Sequence, residues 1–170
     1  MAEAAAFPTF EIEGRTFSKV ILGHNPFLGG SYMSQARSRV YKETFVDPDA
    51  IQRIIVRSIE LGVRGMMTSL KDGFTDRYKR ALLGAAEKTG VLLPTIIIVN
   101  RDYAEHFDTY RELNGQVLLV HGQLTDALYV KAERTMQPEF AEMLKRIRSE
   151  GFVPAMSTHN AGETIPAAEP

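Results

Sequence analysis

The feature that most constrains the fold of this chain is one joint that occurs four times. At each joint a helix-like stretch ends at a glycine, and an apolar run typical of a strand follows at once. The glycines of these joints are Gly62, Gly90, Gly115 and Gly151. Glycine ends helices because it adopts a left-handed backbone conformation without steric cost. Helices and strands that alternate in this way predict a parallel α/β fold.

The apolar runs support this prediction because their hydrophobicity is continuous. Residues 95–99 read Thr-Ile-Ile-Ile-Val, and residues 117–120 read Val-Leu-Leu-Val. Continuous apolar strands are typical of a parallel sheet that is covered on both faces. We predict a hairpin strand over 9–13 and then five parallel strands over 16–22, 63–67, 91–99, 116–120 and 152–156.

Four helices are predicted between the parallel strands. Asp47 is a good N-cap acceptor and Pro48 suits the first helical position, so the first helix is expected to begin there. Apolar residues at helical spacing then continue as far as the first glycine joint. The predicted helices cover 48–61, 75–89, 102–113 and 138–147. Two long connections, over 23–45 and 126–137, are expected to be loops.

This order fits two architectures, a β/α barrel and an open, doubly wound sheet. The open sheet usually carries a phosphate-binding glycine loop after its first strand, and the segment that begins at Gly23 does not have the G-x-G-x-x-G spacing. We therefore predict a partial TIM-like (β/α) barrel, with a five-stranded doubly wound sheet as the alternative. A complete barrel takes about 250 residues, so residues 1–170 are expected to form one domain, the amino-terminal part of a barrel. Residues 1–8 are expected to be a disordered tail.

Composition excludes several classes of protein. The chain is 44% hydrophobic and 24% charged, with a formal net charge of -1, so no charge bias indicates binding to nucleic acid or to a membrane surface. It contains no cysteine, which excludes a disulfide framework, a thiolate metal site and a cysteine nucleophile. We expect a cytoplasmic protein with a small-molecule substrate. Unpaired edges of a partial barrel would also allow homo-oligomers.

Histidines follow three of the predicted strands at the point where each strand ends. His24, His121 and His159 each come just after an apolar run. The carboxyl ends of parallel strands meet at one edge of the sheet, where β/α folds keep their chemistry. The sequence therefore predicts a site at this edge.

Several short motifs resemble the aldo/keto reductase barrels. Residues 14–20, with Gly23, Phe27 and Gly29-Gly30, resemble the first hairpin and strand of that family. The segment from Gly62-Val63 through Thr68-Ser69 to Leu83-Gly84 looks like its second strand and the following helix. His121, after Leu118-Leu119-Val120, matches its catalytic histidine, and residues 156–160 look like its fifth-strand motif.

The resemblance implies an oxidoreductase that acts on a small carbonyl or alcohol, with NADP as a possible cofactor. His121 and Tyr78 are the catalytic residues it implies, with Tyr78 standing where the family has its proton-donating tyrosine. The family's aspartate and lysine, which lower the pKa of that tyrosine, are replaced by Thr68-Ser69 and by Asn100-Arg101. These replacements favour a second possibility, a non-catalytic incomplete barrel.

Other polar residues near the strand ends are candidates for substrate binding. Arg37, in the long first connection, could hold a substrate carboxylate or phosphate in the bidentate way that arginine favours. The predicted binding residues are His24, Asn25, Thr68, Ser69, Asn100, His159, Asn160 and Arg37.

A metal-dependent hydrolase, lyase or isomerase is the remaining alternative. Barrel enzymes of this kind take imidazole and carboxylate ligands from several strand ends. His24, His121 and His159, together with Asp126 or Asp72, are the candidate ligands of a divalent metal.

Overall fold

A computed structural model of the chain describes residues 7–169. Eight strands and seven α-helices are present in this part of the chain. The strands are β1 Thr9–Ile12, β2 Arg15–Ser18, β3 Met66–Ser69, β4 Thr95–Val99, β5 Gly115–Val120, β6 Tyr129–Val130, β7 Thr135–Met136 and β8 Val153–Met156. The helices are α1 Gln35–Thr44, α2 Pro48–Glu60, α3 Thr75–Thr89, α4 Phe107–Glu112, α5 Gly122–Ala127, α6 Pro138–Ser149 and α7 Ala161–Ala168, with a 3-10 turn at Tyr103–Glu105.

The main sheet is parallel, as the continuous apolar runs predict. Its four strands lie in the order β3-β4-β5-β8, so each strand pairs with the one that follows it around the sheet. Two antiparallel pairs, β1 with β2 and β6 with β7, complete the strands. Residues 1–8 were predicted to be a disordered tail, and the first six of them lie outside the described part of the chain.

The three longest helices, α2, α3 and α6, cover the same face of this sheet. One core cluster joins α2, α3 and α6 to strand residues such as Ile97 and Leu118. The opposite face carries Ile96, Val117 and Val153, which pack against Phe17 of β2 instead of against a helix. Helices on one face only are the arrangement of a β/α barrel, whereas a doubly wound sheet has helices on both faces. The partial barrel is therefore confirmed, and we call its helix-free side the inner face.

The β1–β2 hairpin closes the amino end of the inner face. Phe17 is fully buried there, and Phe10 stacks on it with ring centroids 5.8 Å apart. Gly65 makes room for this ring, because a Cβ at residue 65 would lie 3.0 Å from an atom of Phe17. Glu13 at the hairpin turn accepts two hydrogen bonds from Arg148 of α6, at 2.8 and 3.0 Å. The hairpin is thus held both by packing and by an ion pair.

The helix boundaries follow from local signals in the sequence. Asp47 accepts a hydrogen bond from the Asp49 amide at 2.9 Å and caps α2. Gly90 ends α3 in the left-handed conformation, with φ of 71°. At the third joint the left-handed residue is Asn114, with φ of 51°, and not the glycine. Gly115 is needed there because the chain passes close to another backbone segment. A Cβ at Gly115 would lie 2.8 Å from the carbonyl oxygen of Tyr110.

Several predicted elements differ from the structure. The strand predicted over 91–99 begins only at Thr95, the helix predicted over 102–113 divides into the 3-10 turn and α4, and the loop predicted over 126–137 contains β6 and β7. The predicted strand over 16–22 divides into β2 and a single parallel bridge between Leu22 and Met66, so four strands and a bridge replace five strands. The strand predicted over 63–67 begins three residues later, at Met66, because the backbone of Arg64 is hydrogen-bonded to Ser18 in the hairpin. The connection over 23–45 contains α1, which buries no residue.

No helix in the described residues is long and apolar enough to cross a membrane.

Candidate functional site

A cavity of about 690 Å³ lies at the carboxyl end of the inner face. Leu22, Met67 and Ile98 give it an apolar lining, and Met67 also packs against the inner-face residues around Phe17. Its polar lining consists of His24, Asn25, Tyr32, Ser69, Asn100 and His121. Two of the three strand-end histidines therefore meet here. We call this space the histidine cavity.

His24 is the more deeply buried of these two histidines. It follows Leu22, the residue that bridges to Met66, and only 6% of its surface is exposed. Its Nε2 lies 3.1 Å from the Ser69 hydroxyl, which ends β3. Burial lowers the pKa of His24, and a backbone hydrogen bond with Met67 opposes this only in part. His24 is therefore a neutral hydrogen-bonding group at neutral pH.

His121 lies between a strand and a helix, and this position determines which ring nitrogen carries the proton. It follows β5 directly and is the N-cap of α5, where its Nδ1 accepts the Gln123 amide at 3.2 Å. A neutral imidazole has one donor and one acceptor nitrogen. Because Nδ1 is the acceptor, Nε2 carries the proton and can donate it to an oxygen in the cavity.

Two asparagines provide amide groups at the rim of the histidine cavity. Asn25 follows His24 directly, and its Nδ2 donates to the Tyr32 hydroxyl at 3.1 Å. Asn100 follows β4 and is exposed. Neutral donors and acceptors of this kind can orient a small polar ligand.

Tyr78 does not lie in this cavity, so the prediction of a catalytic tyrosine is corrected. It is a core residue of α3, with 0% of its surface exposed. Burial raises the pKa of its phenol strongly, and the neighbouring Thr95 side chain opposes this only in part. No described residue meets the phenol oxygen with the distance and angles of a hydrogen bond. A phenol in this position is not available to a substrate.

Four of the predicted binding residues also lie elsewhere. Thr68 is fully buried, because alternation along β3 turns it to the helix-covered face while Ser69 faces the cavity. Arg37 is an exposed residue of α1 and lines none of the cavities described here. Asn160 precedes α7 and its amide donates to Glu163 at 2.7 Å. His159, the fourth, belongs to a separate polar cluster.

This cluster joins the end of β8 to α5. The Nδ1 atom of His159 lies 2.7 Å from Asp126 Oδ2, and Thr158 donates to the other carboxylate oxygen at 2.5 Å. The hydrogen bond from Thr158, followed by those from His159, keeps the pKa of Asp126 below its usual range. The His159 ring lies against Gly122, where a Cβ would be 3.0 Å from the ring. His159 itself is largely exposed.

The three histidines therefore do not form the predicted metal site. Among residues 7–169 no group of three or more histidine, aspartate or glutamate side chains lies close enough to hold a metal ion. His159 is paired with Asp126 outside the histidine cavity, and among the described lining residues of that cavity only His24 and His121 carry an imidazole. Asp72 lines a different, smaller cavity beside α3. The metal-dependent alternative is not supported.

A nicotinamide cofactor is the group that the resemblance implies, and the described residues fit it only at its substrate end. The histidine cavity contains no lysine or carboxylate among its described lining, and Tyr78 is turned into the core. The residues that would activate a tyrosine acid beside a nicotinamide ring are therefore not assembled. No step can be derived through that cofactor from these residues.

The sequence missed some of the residues around the site. Met67 and Ile98 form the apolar base, and the alternating positions of β3 and β4 would have indicated them. Lys42 and Lys71 line an adjoining cavity, and nothing in their sequence surroundings distinguishes them from surface lysines.

Comparison with solved structures shows a likeness of fold. The chain is similar to an aldo/keto reductase from Brucella melitensis, with a TM-score of 0.60 and 12% identity over 95% of this chain and 58% of that one. It is also similar to an aldo-keto reductase from Bacillus halodurans in its holo form, with a TM-score of 0.56 and 15% identity over 90% of this chain and 51% of that one. The chain thus spans a little over half the length of these structures.

Sequence comparisons give no further match. No protein-family model matches the chain, and no curated protein matches its sequence. The resemblance seen in the short motifs is confirmed at the level of architecture: the fold of this chain is that of a partial aldo/keto reductase-like barrel.

Proposed function

We propose that this chain binds a small carbonyl or alcohol compound in the histidine cavity and serves oxidation and reduction chemistry in an aldo/keto reductase-like barrel. The observation that carries the proposal is the orientation of His121. Its Nδ1 is occupied by the Gln123 amide at 3.2 Å, so its Nε2–H is the donor available to a ligand oxygen. A donor fixed in advance stabilises negative charge that develops on a carbonyl oxygen during reduction.

The rest of the cavity supports a ligand of this kind. Met67 and Ile98 give it an apolar base, and His24 and Ser69 add a second polar pair whose atoms lie 3.1 Å apart. Apolar walls with a few convergent polar groups are typical of small-molecule sites. Because His24 is neutral, it accepts or donates a hydrogen bond without adding a charge.

A barrel that binds its ligand without turnover is a second candidate. It is favoured by the burial of Tyr78 and by the absence of lysine and carboxylate from the described lining of the histidine cavity. Such a cavity can hold and polarise a carbonyl compound, but it offers no strong proton donor.

Binding and turnover can be tested together on the full chain. Calorimetric titration with a small ketone or aldehyde, in the presence and absence of NADP and NADPH, should detect binding that weakens about tenfold in His121→Asn. Oxidation of NADPH with the carbonyl compound would support the oxidoreductase. Carbonyl binding without cofactor oxidation would support the second candidate. Equal titrations for the wild type and His121→Asn would contradict both.

A further inference from the structure

A second cavity of about 480 Å³ adjoins the histidine cavity. The two spaces share Asn25, Leu28 and Tyr32 as lining residues, so a single ligand can extend from one into the other. The new cavity lies between the turn that follows His24 and helix α1. We call it the lysine cavity, after Lys42 and Lys71, which line it.

The charged side chains that line the lysine cavity are all positive. Lys42 and Lys71 both contribute to its wall, and none of its nine lining residues is acidic. Neither ammonium group forms an ion pair with a carboxylate in the described part of the chain. Both lysines are exposed, and two cationic groups that are not paired with a carboxylate favour an anionic ligand.

The aliphatic part of Lys42 packs against the backbone of Gly29 in the wall of the cavity. The backbone at Gly29 is left-handed, with φ of 77°, and the residue is buried. A Cβ there would overlap Cγ of Lys42, so the aliphatic part of the lysine lies directly on the glycine backbone. Packing of the stem in this way holds the ammonium group near the cavity.

Two hydroxyl groups in the wall have a proton left to donate. The Ser31 hydroxyl oxygen accepts the Met33 amide at 3.1 Å, and the Tyr32 hydroxyl accepts Nδ2 of Asn25 at 3.1 Å. In both cases the oxygen acts as the acceptor, so its own O–H is not used in that bond. Tyr32 is 95% exposed. The lining of the lysine cavity therefore includes four side chains with a proton to donate, two of them charged.

We propose that the lysine cavity binds the phosphate group of a phosphorylated small carbonyl compound whose carbonyl oxygen reaches His121. A phosphate monoester carries a charge of about -1.5 to -2 and three acceptor oxygens, which match two ammonium groups and two hydroxyls. The choice of this substrate class rests on the proposed function. Binding of the phosphate itself depends only on the residues of the lysine cavity.

Titration of the full chain with inorganic phosphate at low ionic strength tests the phosphate site directly. We expect binding that weakens about fivefold in Lys42→Met and again in Lys71→Met. Lys145→Met is the matched control, because Lys145 is an exposed lysine of α6 outside the cavity, and its titration should equal that of the wild type. No binding to the wild type, or an equal loss in the control, would overturn the proposal.

A second titration separates this inference from the proposed function. Dihydroxyacetone phosphate should bind more tightly than inorganic phosphate, and His121→Asn should remove only this difference. If phosphate binds through the two lysines but the carbonyl compound gains nothing, the phosphate site stands and the proposed function fails. If dihydroxyacetone without phosphate binds as tightly as its phosphate ester, the proposed function stands and the phosphate site fails.

Discussion

His24 and Tyr78 are both buried, yet the consequences of burial differ for the two side chains. His24 keeps a polar neighbour in Ser69, 3.1 Å away, and remains at the edge of a cavity. Tyr78 has 0% exposure, and its hydroxyl makes no hydrogen bond with described residues. A buried hydroxyl without a partner costs about 1–3 kcal/mol. One residue is thus suited to bind a ligand, and the other only fills the core.

Removal of the Tyr78 hydroxyl should therefore not harm the protein. We expect Tyr78→Phe to leave the free energy of unfolding unchanged or to raise it by about 1 kcal/mol, because an unsatisfied polar group is removed and the ring stays in place. Urea unfolding followed by circular dichroism measures this. Tyr103→Phe, at a partly exposed tyrosine, is the control. A loss of carbonyl binding or turnover in Tyr78→Phe would restore the catalytic assignment.

Burial of His24 also makes stability depend on pH. Its pKa is lowered in the folded chain from the usual 6.5, so the unfolded chain takes up a proton first as the pH falls. The contribution of His24 is present above about pH 6.5 and is lost below that value. His24→Gln should show a smaller loss of unfolding free energy between pH 7.5 and pH 5.5 than the wild type. Equal losses in His24→Gln and in the wild type would show that His24 does not carry this pH dependence.

At the scale of elements, helix α5 is capped by a side chain that also lines the histidine cavity. His121 accepts the Gln123 amide through Nδ1, and it is one of the residues around that cavity. The cap and the proposed binding role therefore fall on one side chain. Loss of an N-cap typically costs about 1 kcal/mol.

Two substitutions at this residue should separate the two roles. His121→Asn keeps a capping oxygen and should unfold at nearly the wild-type urea concentration, whereas His121→Ala should lose about 1 kcal/mol of unfolding free energy. Both variants should bind a small carbonyl compound about equally poorly, because neither has a donor at the position of Nε2. Retained carbonyl binding in His121→Asn would show that the imidazole acts only as a cap.

Elements with strong local signals could be predicted from the sequence. Helices α2, α3 and α6 have an N-cap, a proline or a glycine stop, together with an apolar stripe, and they lie within two residues of their predicted bounds. Helix α1 could not be predicted because it buries no residue and so has no apolar stripe. The β6–β7 pair, two residues in each strand, is too short to leave a pattern.

The candidate site was predictable where it depended on topology. His24, Asn25, Ser69, Asn100 and His121 follow strand ends, and the structure places all of them at the histidine cavity. Tyr78 and Thr68 were misplaced because the direction of a side chain depends on register within its own element. Lys42 was missed because it lies on the helix that the sequence did not indicate.

At the scale of the whole molecule, β8 forms one edge of the main parallel sheet. No described strand pairs with its outer side. The Ser157 amide donates to Val120 on β5 at 3.0 Å, so Ala155 also faces β5, and Pro154 and Met156 face outward. Pro154 has no N–H, which leaves Met156 as the only outward backbone donor within β8 and makes this edge a poor template for another strand.

Replacement of this proline should make the edge available. The homo-oligomer expected from unpaired edges remains a prediction, and Pro154→Ala should shift the chain toward larger species at equal concentration. Sedimentation velocity over a range of protein concentrations measures this shift. Pro138→Ala, at the start of α6, is a control proline outside the sheet. Equal sedimentation of Pro154→Ala and the wild type would show that the edge is protected in another way.

The hairpin that fills the amino end of the inner face separates two kinds of sequence change. Phe17 and its neighbours fill that end, whereas the histidine cavity lies at the carboxyl end, beside the segment that precedes α1. Substitutions in the hairpin, including loss of the Glu13–Arg148 pair, should therefore alter the lifetime of the folded state and leave ligand selectivity intact. Substitutions between His24 and Lys42 should do the reverse, so selectivity can diverge among related chains while the sheet stays unchanged.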